Sequence, residues 1–600
     1  MNDKQPGASD YRLTDPALFL RNITKVMGQA ASLAQVLAER PAEQPDPSTQ
    51  AEPIKQVAKT FGEVASQYIN RPDKLMQTQM ELWQGHARIW QGAWKRFLGE
   101  KVEPVVTTER GDRRFKDRDW EENQVFDFLK QSYLLTARWA HDVVSDAEGI
   151  DEHTRHKARF YVEQIANALA PTNFALTNPE VLRRTLSTSG QNLVDGFEQL
   201  SRDIVSAKGE FSVRQTDLDA FEVGRNLAVT PGKVVFQNDL LQLIQYEPST
   251  EKVYETPLLI VPPWINKYYI LDLTPPKSFV RWAVAQGLTV FVVSWVNPDE
   301  RLATKTFADY MDEGILAAIG AVQKATGQER INAIGYCIGG TLFAATLAYM
   351  AAKGDGRVAS ITFFASQVDF EKAGDLKVFI DEDQIQDVEQ QMAKKGYLEG
   401  KRMARAFNLL RSNDLIWSYV VNNYLMGKDP LPFDLLYWNS DSTRMPAATH
   451  SFYLRECYQL NNLSRGRMVL NGVPIDLKKV KIPAYNVVTR EDHIAPLASG
   501  SRLGRFLGGE TRLVVAGSGH IAGIVNPPDL GKYQYWTNDK AAEPVEGWLA
   551  TATEHPGSWW PDWAEWIGKR SGKKIKARKA GSGKLKAIED APGSYVKEKS

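Results

Sequence analysis

The sequence is poor in cysteine and carries no net charge: of 600 residues only Cys337 and Cys457 are cysteines, and 73 basic residues balance 73 acidic ones. Two cysteines cannot build a disulfide framework, and they fit a reducing cytosol. Their wide separation offers no zinc-binding pattern, and neither a Walker motif nor a dinucleotide-binding glycine motif is present. We therefore expect no bound metal, and a zero net charge provides no global field that would attract nucleic acid.

Long apolar runs are also missing from the chain. No stretch of about 18 apolar residues occurs, so we expect no transmembrane segment. Residues 1–6 (MNDKQP) lack the apolar region of a signal peptide, which argues against secretion and favours a cytoplasmic location. A chain of 600 residues is too long for one compact core, so at least two domains are expected.

Helical periodicity dominates the first third of the chain. Residues 1–55 are polar and contain several prolines, so we expect a mobile segment with one amphipathic stretch at about Pro16–Glu39 and a linker at 40–47. Residues 56–210 are predicted to form an α-helical domain without a catalytic cluster. Inside it, four aromatic side chains at helical spacing are expected to be core rather than binding surface: Trp83, Trp90, Trp94 and Phe97.

The hydrophobic period changes after residue 211. Short apolar segments alternate with helical stretches, which predicts an α/β-hydrolase fold with a doubly wound, mostly parallel sheet over residues 211–568. The predicted strands cover 233–237, 241–246, 257–262, 289–294, 331–336, 358–364, 482–488 and 511–515.

One strand–turn–helix motif suggests a nucleophile. The strand at 331–336 runs into Gly-x-Cys-x-Gly-Gly, and a helical segment follows, as in the nucleophile elbow of α/β-hydrolases with Cys337 in place of serine. Gly335 and Gly339 allow strand and helix to cross closely, and the helix N-terminus favours the thiolate form of the cysteine. On this motif alone, a structural cysteine in a tight turn is an equally good interpretation.

Two residues at predicted strand ends complete a triad in the chain order of this fold, nucleophile, acid, histidine. Asp492 follows the strand near 488, and His520 lies in a glycine-rich loop just after what we expect to be the last strand. His493 is the competing base and Glu491 a weaker competing acid. Cys457 lacks elbow glycines and is expected to be a packing residue.

The oxyanion hole of this fold takes one backbone N–H from the residue after the nucleophile, here Ile338. A second donor comes from the loop after the third strand. Because Pro262 and Pro263 have no N–H, Trp264 or Ile265 is the expected donor.

Two segments depart from the alternation of strands and helices, one inside the catalytic domain and one after it. Residues from about 370 to 475 are charged and then aromatic, and their position matches the cap insertion of α/β-hydrolases. Residues 569–600 are basic and contain glycine and serine, so we expect a mobile C-terminal tail. The basic insert 569–586 has no assigned role.

Several stretches together resemble the polyhydroxyalkanoate synthases, and most closely their class I, short-chain group. The similarity extends over about residues 60–570 and includes 592–597. The matching segments are 171–174 (PTNF), 230–236 (TPGKVVF), 261–273 (VPPWINKYYILDL), 294–298 (SWVNP), 335–340 (GYCIGG) and 519–523 (GHIAG).

This resemblance implies an acyltransferase that polymerises (R)-3-hydroxyacyl-CoA, with (R)-3-hydroxybutyryl-CoA as the expected substrate and no other cofactor. It implies that His520 activates Cys337, and that Asp492 acts through His520 or directly on the substrate hydroxyl. It also implies a cytoplasmic homodimer on the surface of polyester granules, with phasin-type granule proteins as candidate partners.

Two rival functions remain open from the sequence. A thioesterase or esterase of the same fold would share the triad but let water end the acyl-enzyme. A non-catalytic granule coat protein would use the aromatic helices to bind an apolar surface, although an intact triad counts against it.

Overall fold

A computed structural model of the chain describes residues 11–39, 47–109, 111–207, 212–539 and 544–599. The chain divides into two compact units, one of Met1–Asp217 with Arg411–Leu431, and one of Leu218–Leu410 with Pro432–Ser600. Among the described residues, no helix has both the length and the apolar character needed to cross a membrane.

The first unit is helical. Polar side chains begin several of its helices: Asn178, for example, accepts hydrogen bonds from the backbone N–H groups of Glu180 and Val181 at 3.0 and 3.2 Å. The helices described here are α1 (Pro16–Glu39), α2 (Pro47–Ile69), α3 (Pro72–Phe97), α4 (Asp119–Glu122), α5 (Gln124–Ser145), α6 (Glu152–Ala168), α7 (Pro179–Ser187) and α8 (Gln191–Ser206).

The N-terminal segment is more ordered than predicted. The amphipathic stretch is helix α1 and lies against α8 and the turn before it: the Asn22 side-chain amide donates to the Ser189 carbonyl at 2.9 Å, and Lys25 pairs with Glu198 of α8 at 3.0 Å. The prediction of a mobile segment is therefore wrong for residues 16–39, because their polar side chains have partners in this unit. Residues 1–10 and 40–46 of the predicted mobile segment and linker lie outside the described residues.

The aromatic residues of α3 are exposed, not buried. Trp83 is 72% exposed and Phe97 is 69% exposed, and the apolar residues that share this face have similar exposure. The prediction of a core stripe is wrong because the opposite face of α3, with Gly85 and Ile89, is the buried one. We call the exposed face the α3 stripe: Met76, Met80, Trp83, Trp90, Trp94 and Phe97.

The cap predicted over 370–475 is not one continuous part of the catalytic unit. Its residues 411–431, which contain π-helical turns at Asn413–Trp417 and Val420–Leu425, belong to the helical unit. The Asn192 side chain of α8 donates to the Leu425 carbonyl at 2.7 Å, and the Tyr424 hydroxyl donates to Asp203 at 2.8 Å. Contacts so distant in sequence leave no periodic signal, so the sequence did not reveal them.

The second unit contains an 11-stranded sheet with strand order β15-β14-β13-β12-β7-β6-β4-β5-β2-β1-β17. Its strands and three small pairs are β1 (Gly232–Gln237), β2 (Leu241–Tyr246), β3 (Lys252–Tyr254), β4 (Leu258–Val261), β5 (Val290–Trp295), β6 (Ile331–Tyr336), β7 (Val358–Phe364), β8 (Tyr397–Leu398), β9 (Met445–Pro446), β10 (Val469–Leu470), β11 (Val473–Pro474), β12 (Ala484–Thr489), β13 (Thr511–Ala516), β14 (Gln534–Thr537), β15 (Thr553–Pro556), β16 (Lys574–Lys576) and β17 (Glu589–Asp590).

The centre of the sheet is parallel and its margins are antiparallel. The pairs β5–β4, β4–β6, β6–β7, β7–β12 and β12–β13 are parallel, whereas β14, β15, β2, β1 and β17 pair antiparallel. The eight predicted strands are all present, and the α/β-hydrolase fold is confirmed. We expected β13 to be the last strand of the sheet. It is only the last parallel one, because the antiparallel strands β14 and β15 extend the sheet beyond it.

Helices cover both faces of this sheet. One apolar core contains α11 and α12, and the other contains α9 and α20 with the buried Trp559, Trp560 and Trp563. The helices are α9 (Phe279–Ala285), α10 (Phe307–Asp309), α11 (Ala317–Thr326), α12 (Ile338–Ala352), α13 (Glu382–Lys395), α14 (Gly400–Leu410), α15 (Asp434–Ser440), α16 (Ala447–Phe452), α17 (Leu497–Gly500), α18 (Leu503–Phe506), α19 (Val545–Ala550) and α20 (Trp560–Gly568).

The basic C-terminal segment is paired rather than free. β16 lies antiparallel to β3, and β17 forms the edge of the main sheet beside β1. Val596, near the end of the chain, is buried in the core. The prediction of a mobile tail over 569–600 is therefore wrong for the described residues, because backbone pairing and a few apolar anchors hold them despite their many lysines.

Candidate active site

Cys337 lies at a strained turn between β6 and α12. Its backbone has φ 52° and ψ −126°, a conformation that is unfavourable for a residue with a side chain and that is typical of functional sites. A Cβ atom added at Gly335 would lie 2.6 Å from the Gly340 Cα, and one at Gly339 would lie 2.6 Å from the Val261 carbonyl oxygen. The glycines therefore permit the close crossing that the motif predicted.

The strained turn places Cys337 at the N-terminus of a helix. The residue stands at the N-terminus of a buried helix of 15 residues, so its sulfur lies at the positive end of the helix dipole. The side chain is partly exposed, unlike the completely buried Cys457. Burial raises the pKa of the Cys457 thiol, which lies in the core within the π-helical turn Tyr453–Gln459.

Asp492 and His520 form a buried hydrogen-bonded pair. The His520 Nδ1 atom lies 2.8 Å from Asp492 Oδ2 and 3.0 Å from Oδ1. The carboxylate also accepts hydrogen bonds from the Thr489 hydroxyl and from the backbone N–H groups of Ile494 and Ala495, at 2.8 to 2.9 Å. These donors fix the carboxylate, and the carboxylate fixes the imidazole with Nε2 available for other contacts.

The electrostatics of the pair favour charged forms. Burial alone would lower the pKa of His520, but the charges of Asp492 and Cys337, and hydrogen bonds to both, raise it to about 10. Burial alone would raise the pKa of Asp492, but His520 and the backbone donors lower it. These interactions favour an imidazolium beside a carboxylate, close to the cysteine sulfur.

The loop that carries His520 is fixed by aromatic side chains. The Tyr336 hydroxyl donates to the His520 carbonyl oxygen at 3.2 Å, and the two rings stack with centroids 5.8 Å apart. Indole N–H groups of Trp559 and Trp560 donate to the Gly523 and Ile524 carbonyls at 2.9 Å. These three aromatic side chains thus hold the loop that carries the histidine.

The structure distinguishes between the candidates for the base and the acid. The imidazole ring hydrogen-bonded to Asp492 is that of His520, with Nδ1 2.8 Å from Oδ2. Glu491 is exposed, and its backbone N–H donates to the Ser518 carbonyl at 3.0 Å. The structure thus brings together Cys337, Asp492 and His520.

One predicted oxyanion donor begins α12, and the loop that carries the other candidates contacts the same turn through Pro262. Ile338 is the first residue of this helix, so its N–H has no acceptor within the helix. The loop after β4 touches the same turn, since a Cβ at Gly339 would lie 2.7 Å from the Pro262 carbonyl oxygen. The Trp264 carbonyl accepts from the Thr443 hydroxyl at 2.6 Å, so the Ile265 N–H of the same planar peptide points away from Thr443.

Two tyrosines that the sequence did not assign lie within electrostatic reach of the nucleophile. Tyr453 and Tyr458 are buried with ring centroids 5.4 Å apart. Burial is the main reason that the pKa of both is raised, and the charge on Cys337 adds to it. The sequence signal was the density of aromatic residues in the cap, which does not single out these two.

The hydrogen-bonded pair of His520 and Asp492 makes a testable contribution to the free energy of unfolding. Between pH 6.5 and about 10, folded His520 keeps a proton that the unfolded chain has lost, so this contribution should fall as pH rises, by at most about 1.4 kcal/mol per pH unit. The contribution of Asp492, whose pKa is lowered from 3.8, should instead be lost at acidic pH. Thermal unfolding of the wild type and His520→Gln should therefore converge as pH rises towards 10. A difference independent of pH would contradict the charged pair.

Comparisons with known proteins identify the family of the chain and its fold. Residues 111–283 match the family model described as the N-terminus of poly-beta-hydroxybutyrate polymerase (PhaC), and residues 256–527 match the alpha/beta hydrolase fold. The chain is 52% identical to poly(3-hydroxyalkanoate) polymerase subunit PhaC of Rhizobium meliloti, over 98% of this chain and 96% of that protein.

Further relatives carry the same description of a poly(3-hydroxyalkanoate) polymerase. The chain is 55% identical to poly(3-hydroxyalkanoate) polymerase of Methylorubrum extorquens, over 92% of this chain and 91% of the relative. It is 43% identical to the corresponding subunit of Cupriavidus necator, over 86% of this chain and 88% of the relative. The similarity includes both the helical region and the catalytic fold.

Proposed function

We propose a thioester mechanism for this chain, which belongs to the poly(3-hydroxyalkanoate) polymerase family of acyltransferases. The observation that carries the proposal is the buried His520–Asp492 hydrogen bond, 2.8 Å long, beside a cysteine on a strained elbow. Cys337 is the proposed nucleophile, His520 the proton carrier and Asp492 the group that orients His520.

The first step loads the enzyme. The Cys337 thiolate attacks the thioester carbonyl of a 3-hydroxyacyl-CoA, so a new carbon–sulfur bond forms while the bond to coenzyme A breaks. The leaving thiolate takes the proton of the His520 imidazolium. Because both sulfurs are thiolates of similar basicity, this exchange needs little driving force. We propose that Ile338 and the loop after β4 donate backbone N–H groups to the oxyanion of this step.

The second step lengthens the chain. His520, now neutral, takes the proton of the 3-hydroxyl of the next unit, whose oxygen attacks the acyl group on Cys337. An ester bond forms, the carbon–sulfur bond breaks, and the thiolate–imidazolium pair is restored. The lengthened chain, now a coenzyme A thioester, then reloads Cys337 by the first step. Both oxygens of Asp492 are held by His520, Thr489 and backbone donors, which supports action through His520 rather than directly on the hydroxyl. No cofactor is needed in this scheme.

We propose (R)-3-hydroxybutyryl-CoA as the substrate, because the matching N-terminal family is described as a poly-beta-hydroxybutyrate polymerase. The test is incubation of purified full-length protein with this thioester, with thiol release and insoluble polymer measured together. Matched thiol and polymer support the proposal. Thiol with free hydroxy acid and no polymer would instead indicate a thioesterase, and no thiol at all a coat protein.

We also propose that the protein acts in the cytoplasm on polyester granules and contacts them through the α3 stripe. Its large apolar side chains are exposed on one helix face, which is unusual unless they meet another apolar surface. Formation of a homodimer and binding of phasin-type proteins are proposals that rest on the family resemblance.

Removing the α3 stripe should detach the protein from granules without stopping catalysis. We expect Trp83→Ser with Trp94→Ser and Phe97→Ser to weaken granule binding strongly, because each large side chain contributes about 2 kcal/mol when buried. Thiol release from soluble substrate should stay within about twofold, since no residue of the proposed chemistry changes. Sedimentation with isolated granules measures the first effect.

The control for this experiment changes exposed apolar residues of the same unit that lie off α3. Leu169 and Leu176 are 63% and 81% exposed, so Leu169→Ser with Leu176→Ser removes apolar surface of similar exposure. Equal loss of granule binding in both variants would show that the α3 stripe has no special role.

A further inference from the structure

The loop that bears the predicted oxyanion donors is attached to a distant part of the chain. Besides its hydroxyl contact with Trp264, Thr443 donates its backbone N–H to the Ile265 carbonyl at 3.3 Å. Asn266 forms an antiparallel bridge with Ser442. The peptide groups of residues 264–266 therefore take their orientation from residues 442–443, which no sequence motif joins to them.

Lys267 is the last residue of this loop, and its charged ammonium group is buried. Its side chain is only 3% exposed, and its ammonium nitrogen lies 2.7 Å from Asp441 Oδ1 and 2.7 Å from the Glu598 carbonyl oxygen. Its own carbonyl oxygen accepts from the Trp438 indole at 2.7 Å. An ammonium group is costly to bury unless it is paired, so such a site persists only when the surrounding structure is fixed.

The partners of Lys267 are themselves anchored. The Tyr269 hydroxyl donates to Asp441 Oδ2 at 2.9 Å, which leaves both carboxylate oxygens occupied. Near the chain end, the Tyr595 hydroxyl donates to the Asn238 carbonyl at 2.8 Å, and Val596 is 1% exposed. The Glu598 carbonyl that binds Lys267 thus belongs to a segment that is anchored by Tyr595 and Val596.

We infer that Lys267 is a positioning residue of the proposed reaction: by binding Asp441 and the Glu598 carbonyl, it fixes the loop 262–266 where a loop N–H can stabilise the oxyanion. This inference rests on the proposed function, because it concerns the tetrahedral intermediate formed at Cys337. It assigns a role to the C-terminal residues as well, since they provide one of the two acceptors.

The physical reason is the short range of oxyanion stabilisation. A backbone donor acts only when it lies at hydrogen-bond distance from the position that the oxyanion will occupy. A displacement of about 1 Å at a catalytic site reduces rates by about a hundredfold. Ground-state binding of the acyl-CoA depends much less on this donor, so loss of Lys267 should lower kcat more than it raises KM.

The variants separate positioning from folding. Lys267→Met alone leaves the Asp441 carboxylate buried without its cation, which is expected to destabilise the fold. Lys267→Met combined with Asp441→Asn removes both charges and keeps an acceptor for Tyr269. This double variant should recover the melting temperature while its kcat for thiol release stays about ten- to a hundredfold below the wild type.

A second ion pair in the same region provides the matched control. Lys277 pairs with Asp434 at 2.7 Å and joins the same two stretches of chain, but it lies beyond the loop. Lys277→Met with Asp434→Asn should therefore leave kcat within about twofold of the wild type. Equal losses of kcat in the two double variants would overturn the inference, because they would show a general structural effect.

A further readout reports on the oxyanion itself. The aldehyde 3-hydroxybutanal is expected to add to Cys337: a carbon–sulfur bond forms, the carbonyl π bond breaks and the oxygen becomes an anion or takes the proton of the His520 imidazolium. The inhibition constant of this aldehyde should rise in the Lys267→Met, Asp441→Asn variant by the factor by which kcat/KM falls. An unchanged inhibition constant and kcat would overturn the inference. A wild-type protein that releases no coenzyme A would instead refute the proposed function.

Discussion

Replacing Cys337 with alanine is expected to abolish both thiol release and polymer formation. In the described part of the chain, the remaining cysteine is Cys457, which is fully buried with a thiol pKa raised by that burial. It cannot take over the reaction, because the thiolate is the nucleophile and the side chain has no access to substrate. Thiol release from (R)-3-hydroxybutyryl-CoA should fall to the background hydrolysis rate.

The conservative variants define the cause of this loss. Cys337→Ser keeps a nucleophilic atom on the elbow, but a hydroxyl has a much higher pKa than a thiol and needs stronger help from the base, so severe impairment is expected. Cys457→Ser is the matched control and should keep acylation at Cys337. Full activity in Cys337→Ala would show that the elbow is a structural turn.

Replacing His520 and replacing Asp492 should affect different steps of the reaction. His520→Gln removes the only proton carrier in the proposed scheme, so neither loading nor elongation should proceed at a useful rate. General acid–base groups typically contribute about a hundredfold to ten-thousandfold. Loading of Asp492→Asn should be much less affected, because His520 is still present and an imidazole can supply the thiolate even when it is poorly oriented.

The geometry explains why Asp492→Asn should fail in elongation. Asp492 Oδ1 accepts from the Ile494 and Ala495 N–H groups, so the asparagine oxygen must stay there and its amide nitrogen must take the place of Oδ2. That position lies 2.8 Å from His520 Nδ1, which would then have to accept a hydrogen bond and carry its proton on Nε2. The wrong tautomer cannot deprotonate the substrate hydroxyl.

A single-turnover assay distinguishes the two steps. Labelled 3-hydroxybutyryl-CoA is mixed with excess enzyme, quenched and analysed for bound label. Asp492→Asn should accumulate short acyl-enzymes, and His520→Gln should remain unlabelled. Equal loading rates in the two variants, or no loading at all in Asp492→Asn, would contradict this division of roles.

Sequence patterns predicted the catalytic fold well because the central strands are buried on both faces and are therefore continuously apolar. The elbow, the positions of the strands along the chain and the amphipathic helix at Pro16–Glu39 likewise have local signals in the sequence. The same reasoning failed for Trp83 and Phe97, because helical spacing identifies a shared face but does not say whether anything covers it.

Long-range contacts explain the other differences. Residues 411–431 join the helical unit, and the basic tail pairs with β1 and β3, through hydrogen bonds that leave no periodic trace in the sequence. Lys267 shows the same limit at the candidate site. Its partners Asp441 and Glu598 lie far along the chain, so only the folded structure reveals the cluster.

The most direct test of the thioester mechanism is the mass of the acyl-enzyme. Wild-type protein mixed briefly with (R)-3-hydroxybutyryl-CoA and quenched in acid should show a ladder of masses spaced by one hydroxybutyryl unit. After digestion, the added groups should all map to the peptide that contains Cys337. Polymer formation without a covalent intermediate, or acyl groups on Cys457 instead, would contradict the mechanism.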